Sequence, residues 1–164
     1  MLTIRRATTD DLGAITEIYN EAILQTNATF DTDQKAIKEQ ATWFTRHDAK
    51  HPILVAELDG FVVGWASLSN WSDRKAYAGT AEASLYVEEE HQGRGIGKKL
   101  LQVLIQEGQK VGLHTVIARI TEGNVVSISL FEHEGFQNIG VMKEVGQKFG
   151  RLLDVYMMQK IYVS

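Results

Sequence analysis

The segment that most restricts how this chain can fold is Gln92-Gly93-Arg94-Gly95-Ile96-Gly97, a glycine-rich turn set between two patterned stretches. Upstream, Thr80 to Val87 alternates as a strand does, with Leu85 and Val87 on one face and Ser84 and Tyr86 on the other. Downstream, Lys98 to Val111 carries Leu100, Leu101, Leu104 and Ile105 at helical spacing, and Gly112 suits its end. A strand that feeds a glycine turn into a helix N-terminus presents free N–H groups at the positive end of a helix dipole. Glycines there permit positive φ and close approach of an anion to the backbone. Arg94, Lys98 and Lys99 add charge. The segment therefore reads as a phosphate cradle; the competing reading is a glycine-rich connection that serves only a tight turn.

Two other nucleotide motifs fail on spacing. A dinucleotide fingerprint requires G-x-G-x-x-G, whereas this turn is G-x-G-x-G and lies mid-chain. A Walker A loop requires a glycine where Gln92 stands, and a Ser or Thr where Lys99 follows Gly97-Lys98. Around the turn, the chain alternates elements. Leu2 to Ala7 is a short β-like run, and Thr9 caps a predicted helix over Asp10 to Leu24, with Asp10-Asp11 at its positive end and Leu12, Ile15, Ile18, Tyr19 and Ala22 on one face. A second helix is expected from Gln34 to about Arg46 with Ile37, Ala41 and Phe44 inward, ending before Pro52. Ile53 to Leu58 and Phe61 to Leu68 form a hairpin through Asp59-Gly60. Trp71 to Tyr77 is a polar and aromatic loop. Thr115 to Ile120 is a strand, Asn124 caps a helix reaching Glu134, and Phe136 to Val145 and Arg151 to Ile161 are strands joined through Gly146 to Gly150. Such mixing indicates an α/β or α+β domain, and residues 1–164 carry no linker that would divide it.

Composition removes several function classes. A net charge of −4 argues against a nucleic-acid surface. The chain has no cysteine, which excludes disulfides, thiolate-bound zinc and a thiol nucleophile, and which fits a reducing compartment. No apolar run approaches the ~20 residues of a membrane span, and no secretory leader follows Met1, so a cytoplasmic location is expected. His47 and His51 have the spacing of a helical metal pair, but Pro52 and Asp48-Ala49-Lys50 read as a helix exit, so no metal is expected. Glu88-Glu89-Glu90 reads as a solvated turn.

The motif Gln92-x-x-Gly95-x-Gly97, following Leu85-Tyr86-Val87 and a bend ending in His91, resembles the Q/R-x-x-G-x-G/A signature of the GNAT N-acetyltransferases. Thr80-Ala81-Glu82-Ala83-Ser84-Leu85-Tyr86-Val87, Asn20-Glu21-Ala22-Ile23, Thr26-Asn27-Ala28-Thr29-Phe30, Glu132-His133-Glu134-Gly135-Phe136 and Gly146 through Val155 are similar in particular to the phosphinothricin and methionine-sulfoximine N-acetyltransferases, in order and over nearly the whole chain. The resemblance implies a mixed, mostly antiparallel sheet of six to seven strands with about four helices, splayed open near Val87 for acetyl-CoA. It places the pantetheine arm along the backbone of Leu85, Tyr86 and Val87. It places the pyrophosphate on the N–H groups of Gly93, Arg94, Gly95, Ile96, Gly97 and Lys98, behind Gln92. Asn124 would contact the cofactor near pantetheine, a role compatible with helix capping.

Acetyl transfer to an amine requires a neutral amine, a stabilised oxyanion and a proton for the departing thiolate. Glu82, on the Ser84 face under strict alternation, is the base that the resemblance implies; the plain alternative is a solvated strand residue. A backbone N–H, that of Val87, would stabilise the oxyanion. Where family members carry a Tyr or a His as acid, this chain has Phe131, which donates no proton, and His133 faces elsewhere on its helix. The resemblance puts Phe30 in the wall of a substrate pocket bordered by Glu82, Ala83 and Ser84. Arg74, in the loop with Lys75 and Ala76, is suited to a substrate carboxylate or else is plain surface charge. The expected substrate is the α-amine of a small amino-acid-like compound, taken by direct transfer because no cysteine can carry the acetyl group. The alternatives are another amine, such as a protein N-terminus, or a non-catalytic acetyl-CoA-binding module. Family relatives are commonly dimers, and Trp71 suits a pocket wall or a subunit contact, so a homodimer is expected.

Overall fold

A computed structural model describes residues 1–163. Seven strands form one sheet: β1 (Leu2–Arg6), β2 (Ile53–Leu58), β3 (Phe61–Asn70), β4 (Thr80–Val87), β5 (Thr115–Thr121), β6 (Gln137–Lys148) and β7 (Arg151–Ile161), in the spatial order β1-β2-β3-β4-β5-β7-β6. Four α-helices accompany them: α1 (Leu12–Gln25), α2 (Ile37–Thr45), α3 (Ile96–Lys110) and α4 (Val125–His133). Every strand pair is antiparallel except β4 with β5. That parallel pairing is short: Thr80 faces Thr115, Ala81 faces Val116 and Glu82 faces Ile117, and there it stops. The sheet therefore opens just after Glu82, five residues before the expected position at Val87, while β4 stays bonded to β3 along its whole length.

The two faces of the sheet are covered differently. On one, α3 lays Ile96, Leu100, Leu101 and Leu104 over Leu54, Ala66, Leu68, Ala81 and Ala83, and α4 adds Phe131 against Phe136. Each such fully buried aliphatic side chain stabilises by roughly 1.5–3 kcal/mol. On the other face, α1 and α2 pack Ile15, Ile18, Trp43 and Phe44 onto Ile53, Val55 and Trp65, with Tyr19 and Tyr86 at the border. The predicted β4 alternation holds: Ala83, Leu85 and Val87 join the α3 side, and Tyr86 joins the aromatic cluster.

Local corrections have plain causes. The first cap is Thr8 rather than Thr9, because a short 3-10 turn over Thr9–Asp11 precedes α1; Asp11 accepts the Thr8 N–H at 2.8 Å and takes a bidentate pair with Arg5. Helix α2 begins at Ile37 rather than Gln34, and its inward residues are Gln40, Trp43 and Phe44, leaving Ile37 exposed. Helix α3 begins at Ile96, with Gly95 as its left-handed N-cap. The β6–β7 connection tightens to Phe149-Gly150, so Gly146 lies within β6, where the register slips between Met142 and Gly146. Asn124 occupies the N-cap position of α4, but its side chain does not cap; its Nδ2 donates to the Thr121 carbonyl at 2.9 Å and to Asn27 at 3.1 Å.

Candidate active site

Beyond Glu82 the edge of β4 that would face β5 has no strand beside it, and two connected clefts occupy the gap. The larger, about 610 Å³, runs between the end of α1, the glycine turn and the start of α4. The second, about 410 Å³, fills the fork between β4 and β5. Ala28, Leu85, Tyr86, Asn124 and Ser127 border both. An unpaired strand edge offers N–H and C=O groups to an extended amide chain, as strand addition does.

The larger cleft ends on the glycine turn. Gly93 and Gly95 have φ of +79° and +81°, and a Cβ on either would project into open space rather than into protein. L-residues adopt this backbone only with strain, so the turn is built for glycine. It delivers the N-terminus of α3 to the cleft, which Gly93, Gly95, Ile96, Gly97 and Lys98 line. Ile96 is buried and anchors the helix start in the core. Gln92 lines this cleft too, but its amide is engaged: Nε2 donates to the Val87 carbonyl at 3.0 Å, pinning the turn to the strand end. Arg94 is exposed and borders none of the clefts. The turn thus has the donor set and the room for an adenosine phosphate. Nearby, the Glu89 N–H donates to Glu21 of α1 at 2.9 Å and His91 bonds Glu88 at 2.9 Å, so the acidic bend is tied to its neighbours while Glu89 and Glu90 stay exposed, as expected of a solvated turn.

The fork holds the charged chemistry. Glu82, Ala83 and Ser84 border it, as do Phe30, Phe131 and Asn124. Glu82 is not alone there: Arg119 of β5 donates Nε and Nη2 to its two oxygens, each at 2.7 Å, and stacks its guanidinium 5.4 Å from the centre of the Trp71 ring. The Glu82 carboxylate raises the Arg119 pKa, burial acting against it. Sequence reasoning passed over Arg119; the available signal was an arginine inside an otherwise apolar strand, Thr115 to Ile120. Arg74, Lys75 and Ala76 lie at an exposed 3-10 turn and border none of these clefts. Phe30 is held against Gly146, where a Cβ would overlap the ring. Its loop is fastened by Lys148, a buried lysine whose Nζ donates to the Thr29 carbonyl at 2.8 Å and whose pKa burial lowers. Phe131 is buried, 4% exposed, and stacks edge-on against Phe136, while His133 is exposed. Tyr86 borders both of these clefts and a third, of about 270 Å³, lined by Tyr19, Trp43, Trp65 and Ser84 on the aromatic face; burial pushes its phenol up to about 12, so it keeps its proton at neutral pH. His47 and His51 turn to separate partners, Trp43 with Ser69 and Asp48, respectively.

The sequence matches the acetyltransferase (GNAT) domain family over residues 4–157. The chain belongs to the GNAT acetyltransferases. It is 42% identical over 159 residues to the L-methionine sulfoximine/L-methionine sulfone acetyltransferase of Pseudomonas aeruginosa, covering 96% of this chain and 92% of the relative. It is 36% identical over 165 residues to the phosphinothricin N-acetyltransferase of Alcaligenes faecalis, covering 96% and 81%. Its fold superposes on yncA of Salmonella typhimurium, solved with its cofactor acetyl-CoA, at a TM-score of 0.97 with 39% identity, covering 100% of this chain and 95% of that one.

Proposed function

We propose that this GNAT enzyme transfers an acetyl group from acetyl-CoA directly to the α-amine of a small amino-acid-like substrate of the methionine sulfoximine, methionine sulfone or phosphinothricin class. The observation that carries the reading is the opening of the sheet after Glu82, flanked on one side by the glycine turn and on the other by a charged fork. The relatives named above act on those amino-acid analogues. Bound acetyl-CoA supplies an acetyl thioester. The α3 N-terminus, with Gly93, Gly95, Gly97 and Lys98, holds its phosphates, and the free edge of Leu85 to Val87 receives its amide arm. Asn124 borders both clefts and braces Asn27 from the helix start.

Glu82 is the base. It accepts a proton from the substrate ammonium and hands it to solvent, freeing the nitrogen lone pair to form the N–C bond as the C–S bond breaks. The second proton shed by nitrogen accompanies the departing sulfur, since Phe131 has none to give. The Val87 N–H is the oxyanion donor. No cysteine is present to carry the acetyl group.

Three wider readings go with this one. Residues 1–164 act as one domain, supported by the joining of every strand into a single sheet. The enzyme works in the cytoplasm, supported by the absence of cysteine; among the described residues no helix is long and apolar enough to cross a membrane. It pairs as a homodimer, supported by the exposed Ile139, Val141, Val145, Phe149 and Leu152 on the β6–β7 hairpin, and light scattering at working concentration checks this.

The decisive assay is free-thiol release from acetyl-CoA with methionine sulfoximine, methionine sulfone, phosphinothricin and ordinary amino acids, for wild type and Glu82→Gln. Saturable turnover that falls roughly 10²–10⁴-fold in the variant supports substrate class and base together. Undiminished turnover in the variant removes Glu82 from its role. Acetyl-CoA binding without turnover on any amine defeats the substrate assignment.

A further inference from the structure

We propose that Arg119 is the residue that makes this enzyme specific for amino acids: its guanidinium takes the substrate's α-carboxylate, while its partner Glu82 takes the neighbouring ammonium. The inference rests on the reading of Glu82 as base and adds to it the recognition of the carboxylate.

Three observations converge on Arg119. First, the Glu82–Arg119 pair lies at the point where β4 and β5 part, with Glu82 the last β4 residue paired to β5 and Arg119 two residues past Ile117, the β5 partner of Glu82. Glu82 and Arg119 both line the fork. Second, the pair is not saturated. Its two bonds use Nε and Nη2, which leaves Nη1 without a hydrogen-bond partner among the described residues, and the Arg119 side chain is 49% exposed against 20% for Glu82. Third, the guanidinium is braced rather than floating: Trp71 stands over it at 5.4 Å, so its plane stays presented to the fork when its bonds are exchanged.

An anion and a cation held side by side are complementary to a zwitterion whose own charges sit on adjacent groups. An α-amino acid brings a carboxylate to Nη1 and the ammonium to Glu82, replacing one ion pair by an alternating set of four charges. A guanidinium also binds a carboxylate through parallel N–H bonds, which sets orientation as well as affinity. With the carboxylate on Arg119, a Glu82 oxygen is released to accept the ammonium proton: the N–H bond breaks, the O–H bond forms, and the nitrogen keeps the electron pair. An amine without a carboxylate leaves Arg119 clamped on Glu82, and the base stays engaged. Arg74, the arginine that the sequence alone brings forward, lines neither the fork nor the two neighbouring clefts and competes for the same assignment.

The test compares methionine sulfone with its decarboxylated counterpart, the same sulfone carried on a primary amine, across wild type, Arg119→Gln, Arg119→Lys and Arg74→Gln, with thermal melts to establish folding. Expected is a wild-type preference for the amino acid of about 100-fold or more in kcat/KM, because a site built to pair a polar group rejects the analogue lacking it. In Arg119→Gln the preference collapses to within a few fold, mainly by loss on the amino acid. Arg119→Lys restores part of it, and Arg74→Gln leaves it intact. The proposal is overturned if Arg119→Gln lowers both substrates equally, which makes Arg119 a support for Glu82 only, or if Arg74→Gln abolishes the preference instead. Failure of the underlying reading looks different. Wild type would then turn over neither compound, or Glu82→Gln would retain full activity while the Arg119 preference remains measurable.

Discussion

The two faces of this sheet do different work, and β4 carries both. Its inward residues on the α3 side, Ala81 and Ala83, are small and fully packed beneath Leu100, Leu101 and Leu104. Its residues on the other side are Glu82, Ser84 and Tyr86, opposed on β3 by Ser69, Ser67 and Trp65. One face is uninterrupted hydrocarbon; the other sets an ion pair, hydroxyls and a phenol beside an aromatic cluster. The difference teaches that the alternation of a strand lets stability and chemistry share a backbone without sharing side chains. Substitutions on the α3 side away from the cleft-lining Ala83, Leu85 and Phe131 should therefore move stability and leave the chemistry of the folded enzyme intact, and substitutions on the other side should do the reverse.

The largest effect that tests this division is on the stable side. Leu104→Ala empties a site that is 1% exposed and should cost about 2–5 kcal/mol in denaturant unfolding, with turnover per folded molecule unchanged. A fall in kcat there would break the comparison. Next comes the seam at which the strand enters α3. Gly95→Val forces a β-branched residue to φ +81°, at a strain of about 1–3 kcal/mol, and should raise the KM for acetyl-CoA about tenfold while the KM for the amine holds. Smaller still is Gly146→Ala. Phe30 is 38% exposed, so its ring can swing outward from the added methyl. Stability should fall by only about 1 kcal/mol, with the loss read chiefly as a higher KM for the amine.

The smallest expected effect concerns pH. Burial lowers the His47 pKa below its usual 6.5, against the Trp43 carbonyl and Asp48, which favour the charged ring, and with His51 acting alongside burial. Below pH 6.5 the unfolded chain binds that proton more readily than the folded one. His47 therefore contributes stability that is present above 6.5 and is lost as pH falls through the folded value. In His47→Gln the melting temperature should decline less steeply over that acid window and match wild type in slope above it. An unchanged acid slope would show that this face is electrostatically as quiet as the α3 side.

Much of this was legible in the chain. The glycine turn, the alternation of β4 and the amphipathic α3 are local patterns with periods of two and 3.6 residues, and each is present, with α3 starting two residues early at Ile96. The element order and the α/β class follow from the same signals, as does the Asp59-Gly60 hairpin, whose two residues both have positive φ. The misread features depend on what is packed beside them. Ile37 has the inward spacing of an amphipathic helix, yet Gln40 is the residue that α2 buries.

The sequence by itself determined that a strand, a glycine turn and a helix form one unit that presents a helix N-terminus, because backbone freedom and side-chain period are properties of neighbours along the chain. Only the tertiary structure decided where the sheet opens, that Arg119 closes on Glu82, that Gly146 makes room for Phe30 and that Gln92 ties the glycine turn to the Val87 carbonyl. Two of these contacts join residues far apart in the chain, and all depend on strand register and loop course, which a local pattern does not encode.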